Sequence, residues 1–221
     1  MMVNAFIPLR SGSKSIKDKN IKLFNGYPLC YWVLKACQES KLVDKIIVAI
    51  DSDRYKQVIL NFQFNKVIFY KRLNKNSDDF STTESVILEY LESSNLPLDS
   101  TFLLVQATSP HLKTKELDEM LRYSLTDSCD IVSCVRLKRF LWNKNGKSLN
   151  YDLNNRPRRQ DFEGILIENG AVYISSVQKI LSSNCRVSGQ IKTYEMNDNS
   201  FYEIDEENDF RVSEMLMKPN N

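Results

Sequence analysis

Apolar residues in this chain arrive in short unbroken runs separated by stretches of helical spacing. That is the pattern of strands buried on both faces alternating with amphipathic helices. The first run opens at Val3 as VNAFIPL and reads as a buried strand that stops at Arg10. Leu29, Val33, Ala36 and Cys37 then recur at helical spacing, with Trp32 adding apolar surface and Pro28 placed for the first helical turn. Further strands are predicted over 43–50 (VDKIIVAI) and 66–70, and the most strand-like run, TFLLV, covers 101–105. Between the last two, Ser81-Thr82-Thr83 followed by Glu84 reads as a helix start, with Val86, Ile87, Tyr90 and Leu91 on one face. A later helix carries Leu117, Met120, Leu121 and Leu125; strands at 130–135 and 171–174 follow, and Phe210, Val212, Met215 and Leu216 mark a last helix. Strands alternating with helices predict an α/β fold with a largely parallel central sheet.

The 221 residues fit a single domain, 1–221, with ample core. A net charge of +2 argues against a general nucleic-acid binder, so each basic cluster needs a local explanation. Five cysteines, an odd number with no C-x-x-C, point to reduced thiols in a cytoplasmic protein rather than a disulfide framework or zinc site. Cys30 and Cys37, seven apart on the first helix, read as small core residues. The chain opens directly on a strand-like segment, so no secretory leader is expected, and no apolar run is long enough to span a membrane.

Candidate chemistry collects where strands end. After the first strand, Arg10, Lys14, Lys17 and Lys19 are interleaved with Ser11, Gly12, Ser13 and Ser15. Small residues let backbone N–H groups approach an anion, and cations neutralise it, so a nucleotide triphosphate is the expected occupant. The stretch is neither a P-loop nor the dinucleotide fingerprint, and a solvated basic turn is the competing reading. Asp51 and Asp53, at the end of the second strand, have the chemistry of a metal site, but capping of the next helix is the favoured reading. Lys71-Arg72 and a polar loop over 74–81 follow the third strand, and a helix start bearing hydroxyls is a ready phosphate or ribose site. The fourth strand delivers Gln106-Ala107-Thr108-Ser109-Pro110, then His111, the one histidine, which reads as polar loop surface. A basic stretch beginning at Arg136 includes Arg156-Pro157-Arg158-Arg159-Gln160-Asp161-Phe162, but acids return at once, which disfavours a nucleic-acid patch. Finally, Glu203 and Asp205 are separated by one residue and share a face of an extended segment. Such a pair suits Mg²⁺ beside phosphates; the alternative is an acidic lead-in, with Asp205 capping the last helix.

Taken together, these segments resemble the acylneuraminate (nonulosonate) cytidylyltransferases, the CMP-sialic acid synthetase family. The family's opening signature, roughly A-R-x-x-S-K-G-x-x-x-K-N, stands here as Leu9-Arg10-Ser11-Gly12-Ser13-Lys14-Ser15-Ile16-Lys17-Asp18-Lys19-Asn20, with Ser15 where a glycine is usual. The family's L-x-Q-P-T-S-P appears with Ala107 in place of its first proline, R-P-R-R-Q-D-F matches the animal-type members, and D-I-D appears with Glu203 in place of the first Asp. The resemblance implies a Rossmann-like nucleotidyltransferase fold with a small β-rich dimerisation insert over 137–168. It implies transfer of the cytidylyl group of CTP to a nine-carbon 2-keto sugar acid, with release of pyrophosphate, in a homodimer using Mg²⁺. It assigns Arg10, Ser13, Lys14, Lys19, Asn20, Arg72, Ser81 and Thr83 to the nucleotide, with Arg10 and Lys19 also acting on the reacting phosphates. Gln106, Thr108, Ser109, Gln160 and Asn169 are assigned to the sugar acid, Asp205 and Glu203 to the metal, and Arg158 to catalysis, with reach into the neighbouring subunit. No side chain stands out as a general base. The rivals are a nucleotidyltransferase for another sugar, such as an eight-carbon acid or a sugar 1-phosphate, and a non-catalytic nucleotide-binding protein. The second of these draws on the departures at Ser15, Ala107 and Glu203.

Overall fold

A computed structural model describes residues 2–76 and 81–217. Its strands are β1 (Val3–Leu9), β2 (Leu23–Phe24), β3 (Tyr27–Pro28), β4 (Lys45–Ile50), β5 (Val67–Lys71), β6 (Thr101–Val105), β7 (Asp130–Leu137), β8 (Ile165–Ser176) and β9 (Ile191–Glu195). Its helices are α1 (Leu29–Glu39), α2 (Asp53–Leu60), α3 (Thr83–Ser93), α4 (Thr114–Asp127), α5 (Val177–Ser183) and α6 (Glu207–Leu216). Seven strands form one sheet in the order β5-β4-β1-β6-β8-β7-β9, and β2 and β3 pair as a separate hairpin. β8 alone runs against the others, pairing antiparallel with both β6 and β7.

The unbroken apolar runs are explained by cover on both faces. Ala5, Ile7 and Leu9 of β1 pack with α1, α2 and α4, while Phe6 packs on the other side with Val86 and Ile87 of α3 and Val177 and Ile180 of α5. Truncating the fully buried Phe6 to Ala would cost about 3–5 kcal/mol, the usual toll of a core cavity.

Several local expectations change in the structure. Pro28 sits one residue outside α1, at its N-cap. Ser52, not Asp53, occupies the N-cap of α2; Asp53 is in its first turn, where a negative charge meets the positive end of the helix. Glu206, not Asp205, is the N-cap of α6. The inward face of α6 runs through Phe210 and Ser213, with Val212 and Met215 exposed, because a polar partner awaits Ser213. That partner is His111, which is buried, not surface. The stretch between β7 and β8 carries an isolated bridge, Trp142 to Ser148, in place of the β-rich insert expected. Phe140, Tyr151 and Phe162 hold that stretch together, with the Arg156 guanidinium 4.4 Å from the Phe140 ring centre. Of the polar loop read over 74–81, residues 77–80 lie outside the described residues.

Candidate nucleotide site

The sheet order creates the site. From β1 the chain moves to β4 and β5 on one side and returns with β6 on the other, so the loops after β1 and β6 part and leave a crevice. Arg10, Arg72, Ser81, Thr83 and Gln106 surround an opening of about 210 Å³ there.

Each wall is held by identifiable bonds. Thr82 caps α3 by accepting the Ser85 N–H at 3.1 Å, which leaves Ser81 and Thr83 beside the positive end of the helix. The Arg72 N–H extends the sheet by donating to the Ile50 carbonyl at 2.9 Å, and its guanidinium donates to the Asn76 carbonyl. Beneath it, Glu89 accepts from the Leu73 N–H and the Tyr70 hydroxyl, each at 2.9 Å, and from the Asn76 amide at 2.6 Å. Burial raises the Glu89 carboxyl, yet these three donors outweigh it and hold the group below its ordinary range.

The opening loop is braced from below. Ser11 N–H donates to both Asp51 carboxylate oxygens, at 3.0 and 3.2 Å, and the buried Asn20 amide donates to the Arg10 carbonyl at 3.1 Å. Asp51 is therefore not a cap of α2; it anchors the loop. Ser13 is half-buried and Lys14 exposed, and nothing lies within 4 Å of the place a Gly12 side chain would occupy, so the loop's outer side is open. Ser15 has no positive φ, so the backbone does not require a glycine, and its hydroxyl donates to the Asp205 carbonyl.

Lys19 reaches the acidic segment: its ammonium donates to the Ile204 carbonyl at 2.7 Å and lies 3.3 Å from Asp205 Oδ1. That segment is fixed by the Ile204 N–H, which donates to the Thr108 carbonyl at 2.9 Å, and by the wholly buried Ile204 side chain. Glu203 and Asp205 thus fall on the opposite side. The Thr108 hydroxyl donates to Glu203 Oε1 at 3.3 Å. Glu203 lies over Gly170, where an added Cβ would come within 2.7 Å of its carboxylate oxygens. Burial first, and the Asp205 charge second, push the Glu203 carboxyl up. Two carboxylates separated by one residue, one of them half-buried and the other open to solvent, form a donor set suited to a divalent cation; no group of three or more acidic, His or Cys ligands occurs among the described residues.

Other candidates stand elsewhere. Ser109 is buried under the loop. Asn169 is buried as well, accepting from the Ser133 hydroxyl at 2.7 Å and donating to the Ser200 carbonyl at 3.1 Å, so its amide is engaged within the fold. Arg159 and Gln160 border a separate opening with Arg136 and Lys138. Arg158 is exposed and donates to Asp161 at 2.6 Å. Residue-type reasoning missed Arg186, whose guanidinium lies 2.5 Å from Glu84 in the first turn of α3 and 4.8 Å from the Tyr173 ring centre. Nothing local marks it, since its partner is over a hundred residues away.

An open α/β sheet with a cation-lined crevice at its switch point, a hydroxyl-bearing helix start and a carboxylate pair has the chemistry to receive a phosphorylated ligand. Two solved structures share the fold. One, a CMP:2-keto-3-deoxy-manno-octonic acid synthetase complexed with CTP, aligns with a TM-score of 0.70 at 16% identity over 98% of both chains. The other, a 4-diphosphocytidyl-2C-methyl-D-erythritol synthase from Anaerococcus prevotii, aligns with a TM-score of 0.72 at 12% identity, covering 99% of this chain and 96% of that one. The chain belongs to the cytidylyltransferase family, whose model matches residues 5–217. It is 35% identical over 95% of its length to N-acylneuraminate cytidylyltransferase B of Danio rerio and 34% identical over 96% to N-acylneuraminate cytidylyltransferase of Oncorhynchus mykiss. The chain spans about half the length of these curated relatives, 50% and 49% respectively.

Proposed function

We propose that the chain is a cytidylyltransferase that activates a nine-carbon 2-keto sugar acid. The anomeric hydroxyl oxygen of the acid attacks the α-phosphorus of CTP, the bond from that phosphorus to the β-bridging oxygen breaks, and pyrophosphate leaves with the electron pair. The hydroxyl proton passes to solvent. Such a step depends on positioning and on neutralising charge more than on covalent help. The observation that carries the reading is the meeting of Arg10, Arg72, Ser81, Thr83 and Gln106 at one crevice, with the tethered Glu203–Asp205 segment joined to the loop that follows Gln106. The family match and the N-acylneuraminate cytidylyltransferase relatives support the sugar-acid class.

Arg10, Lys14 and Ser13 would receive the triphosphate, and Arg72, Ser81 and Thr83 the cytidine end, with Asn20 holding the Arg10 backbone from beneath. Glu203 and Asp205 would hold Mg²⁺, which when bound draws charge from the phosphates. Lys19, now paired with Asp205, would share its charge between that carboxylate and the leaving phosphates. Gln106, Thr108 and Ser109 would face or support the sugar acid, with Asn169 stiffening the strand above them. Arg158 and Gln160 stand outside the crevice of their own chain, which supports a homodimer in which Arg158 serves the neighbouring copy's site. The net charge of +2 gives no sign of a nucleic-acid partner. No described helix is long and apolar enough to cross a membrane, and five free thiols, four of them buried, support a cytoplasmic setting.

The test is pyrophosphate release from CTP and Mg²⁺ against a panel of nine-carbon and eight-carbon 2-keto sugar acids, with ATP, GTP and UTP as controls. Release with CTP and a nine-carbon acid is expected. Release only with an eight-carbon acid would replace the substrate class, and CTP binding without release would leave a non-catalytic protein.

A further inference from the structure

The proposed reaction makes no use of the buried contact between His111 and Ser213, yet that contact joins two parts of the site. His111 lies on the loop after β6, the same loop that presents Gln106 to the crevice and binds Glu203 through Thr108. Its Nε2 is 2.9 Å from the Ser213 hydroxyl, and both residues are buried, Ser213 completely. One turn earlier on α6, Asp209 accepts the Glu206 N–H at 2.8 Å and the Asp205 N–H at 3.2 Å. Residues four apart lie on one face of a helix, so a directional bond at Ser213 also sets the direction in which Asp209 points. The other polar anchors of α6, Lys22 to Glu207 at 2.5 Å and the Asn25 N–H to Glu214 at 2.7 Å, run to the opening of the chain. They do not connect the helix to the loop that carries Gln106 and Thr108.

We propose that His111 is a positioning residue for the carboxylate pair. Through Ser213 it fixes the rotation of α6, and α6 through Asp209 fixes the backbone that presents Asp205 and, one residue beyond Ile204, Glu203. This rests on reading that pair as the metal ligands. An apolar contact at this point would bury as much surface but would leave the helix without a directional tie to the loop that carries Gln106 and Thr108, because the hydrophobic effect is not directional. The buried imidazole and hydroxyl satisfy each other, so the bond holds one arrangement of the helix against the loop.

The test compares His111→Leu, Ser213→Ala and the double variant with the parent chain, using Mn²⁺ as the probe in the presence of CTP. Three quantities are read: Mn²⁺ affinity by electron paramagnetic resonance, amide exchange of Ile204, and the urea midpoint. Each single variant is expected to weaken Mn²⁺ binding about tenfold, the usual effect of losing an orienting outer partner, and to speed Ile204 exchange. The double variant removes both polar partners, so its urea midpoint recovers toward the parent value while Mn²⁺ affinity stays weak. Recovery of Mn²⁺ affinity together with the midpoint would reduce the pair to a packing role and overturn the proposal. Parental affinity in all three variants would do the same. A parent chain that binds CTP but not Mn²⁺ is a distinct result, which removes the metal reading and the positioning role with it.

Discussion

Gly170→Ala separates backbone strain from damage to the carboxylate pair. Gly170 has φ +70°, and an added Cβ would meet both Glu203 carboxylate oxygens at 2.7 Å, well inside ordinary contact. A non-glycine residue in that backbone region costs about 1–2 kcal/mol, which for a domain of this size lowers Tm by about 2–8 °C. The contact adds a second effect. The adjoining Ala171 carbonyl is held by the Gln106 N–H, and the Glu203 side chain is the flexible partner in the contact, so Glu203 is expected to move and give up its 3.3 Å bond from Thr108. The Mg²⁺ concentration for half-maximal pyrophosphate release is therefore expected to rise about tenfold, as when a ligand loses its orienting partner. Gly189→Ala is the control: φ is +68° and nothing lies within 4 Å of the new Cβ, so it imposes the strain without the contact. Thermal melts and Mg²⁺ titrations of both variants decide the matter. An unchanged Mg²⁺ requirement in Gly170→Ala, or an equal rise in both variants, would refute the reasoning.

Three further outcomes are expected. Burial holds the His111 imidazole below its ordinary range, with the Ser213 backbone favouring the proton and Lys113 opposing it. With the folded value below the unfolded one, the stability contribution is complete above about pH 6.5 and is lost as pH falls through the folded value. Urea midpoints measured from about pH 8 down to pH 5.5 should decline in the parent and decline less in His111→Leu; parallel curves would count against this. Cys30 and Cys37 are buried with thiols pushed up to about 12, while Cys185 is exposed, so a thiol reagent should modify Cys185 rapidly in the native protein and all five cysteines after unfolding. Rapid labelling of Cys30 before unfolding would contradict the burial described. Arg158→Ala should cut turnover about tenfold or more with Tm nearly unchanged, because Arg158 is exposed and its ion pair is a surface one along its own loop with Asp161; unchanged turnover would remove it from the reaction.

The sequence by itself determined the class and most of the elements, but not the β2–β3 hairpin, α5 or β9, which are short or largely polar. Buried strands read as unbroken apolar runs because helices cover both faces, and the helix start at Thr82–Glu84 is a local bargain between a hydroxyl and free N–H groups, so both are written in neighbouring residues. The same locality made the chemistry at strand ends legible, since an α/β sheet brings those ends to one edge whatever the intervening helices contain. Only the tertiary structure decided which groups meet. Lys19 turns to Asp205 across 186 positions, Arg186 to Glu84 across 102, and His111 to Ser213 across 102. The burial of His111 and the inward stripe of α6 escape local pattern for one reason: a lone polar residue in a loop and a serine on a helix each look solvated until the partner that satisfies them is in place. Hydrophobic period and turn chemistry act over a few residues, whereas hydrogen-bond partners across the fold are chosen by packing, which no local pattern records.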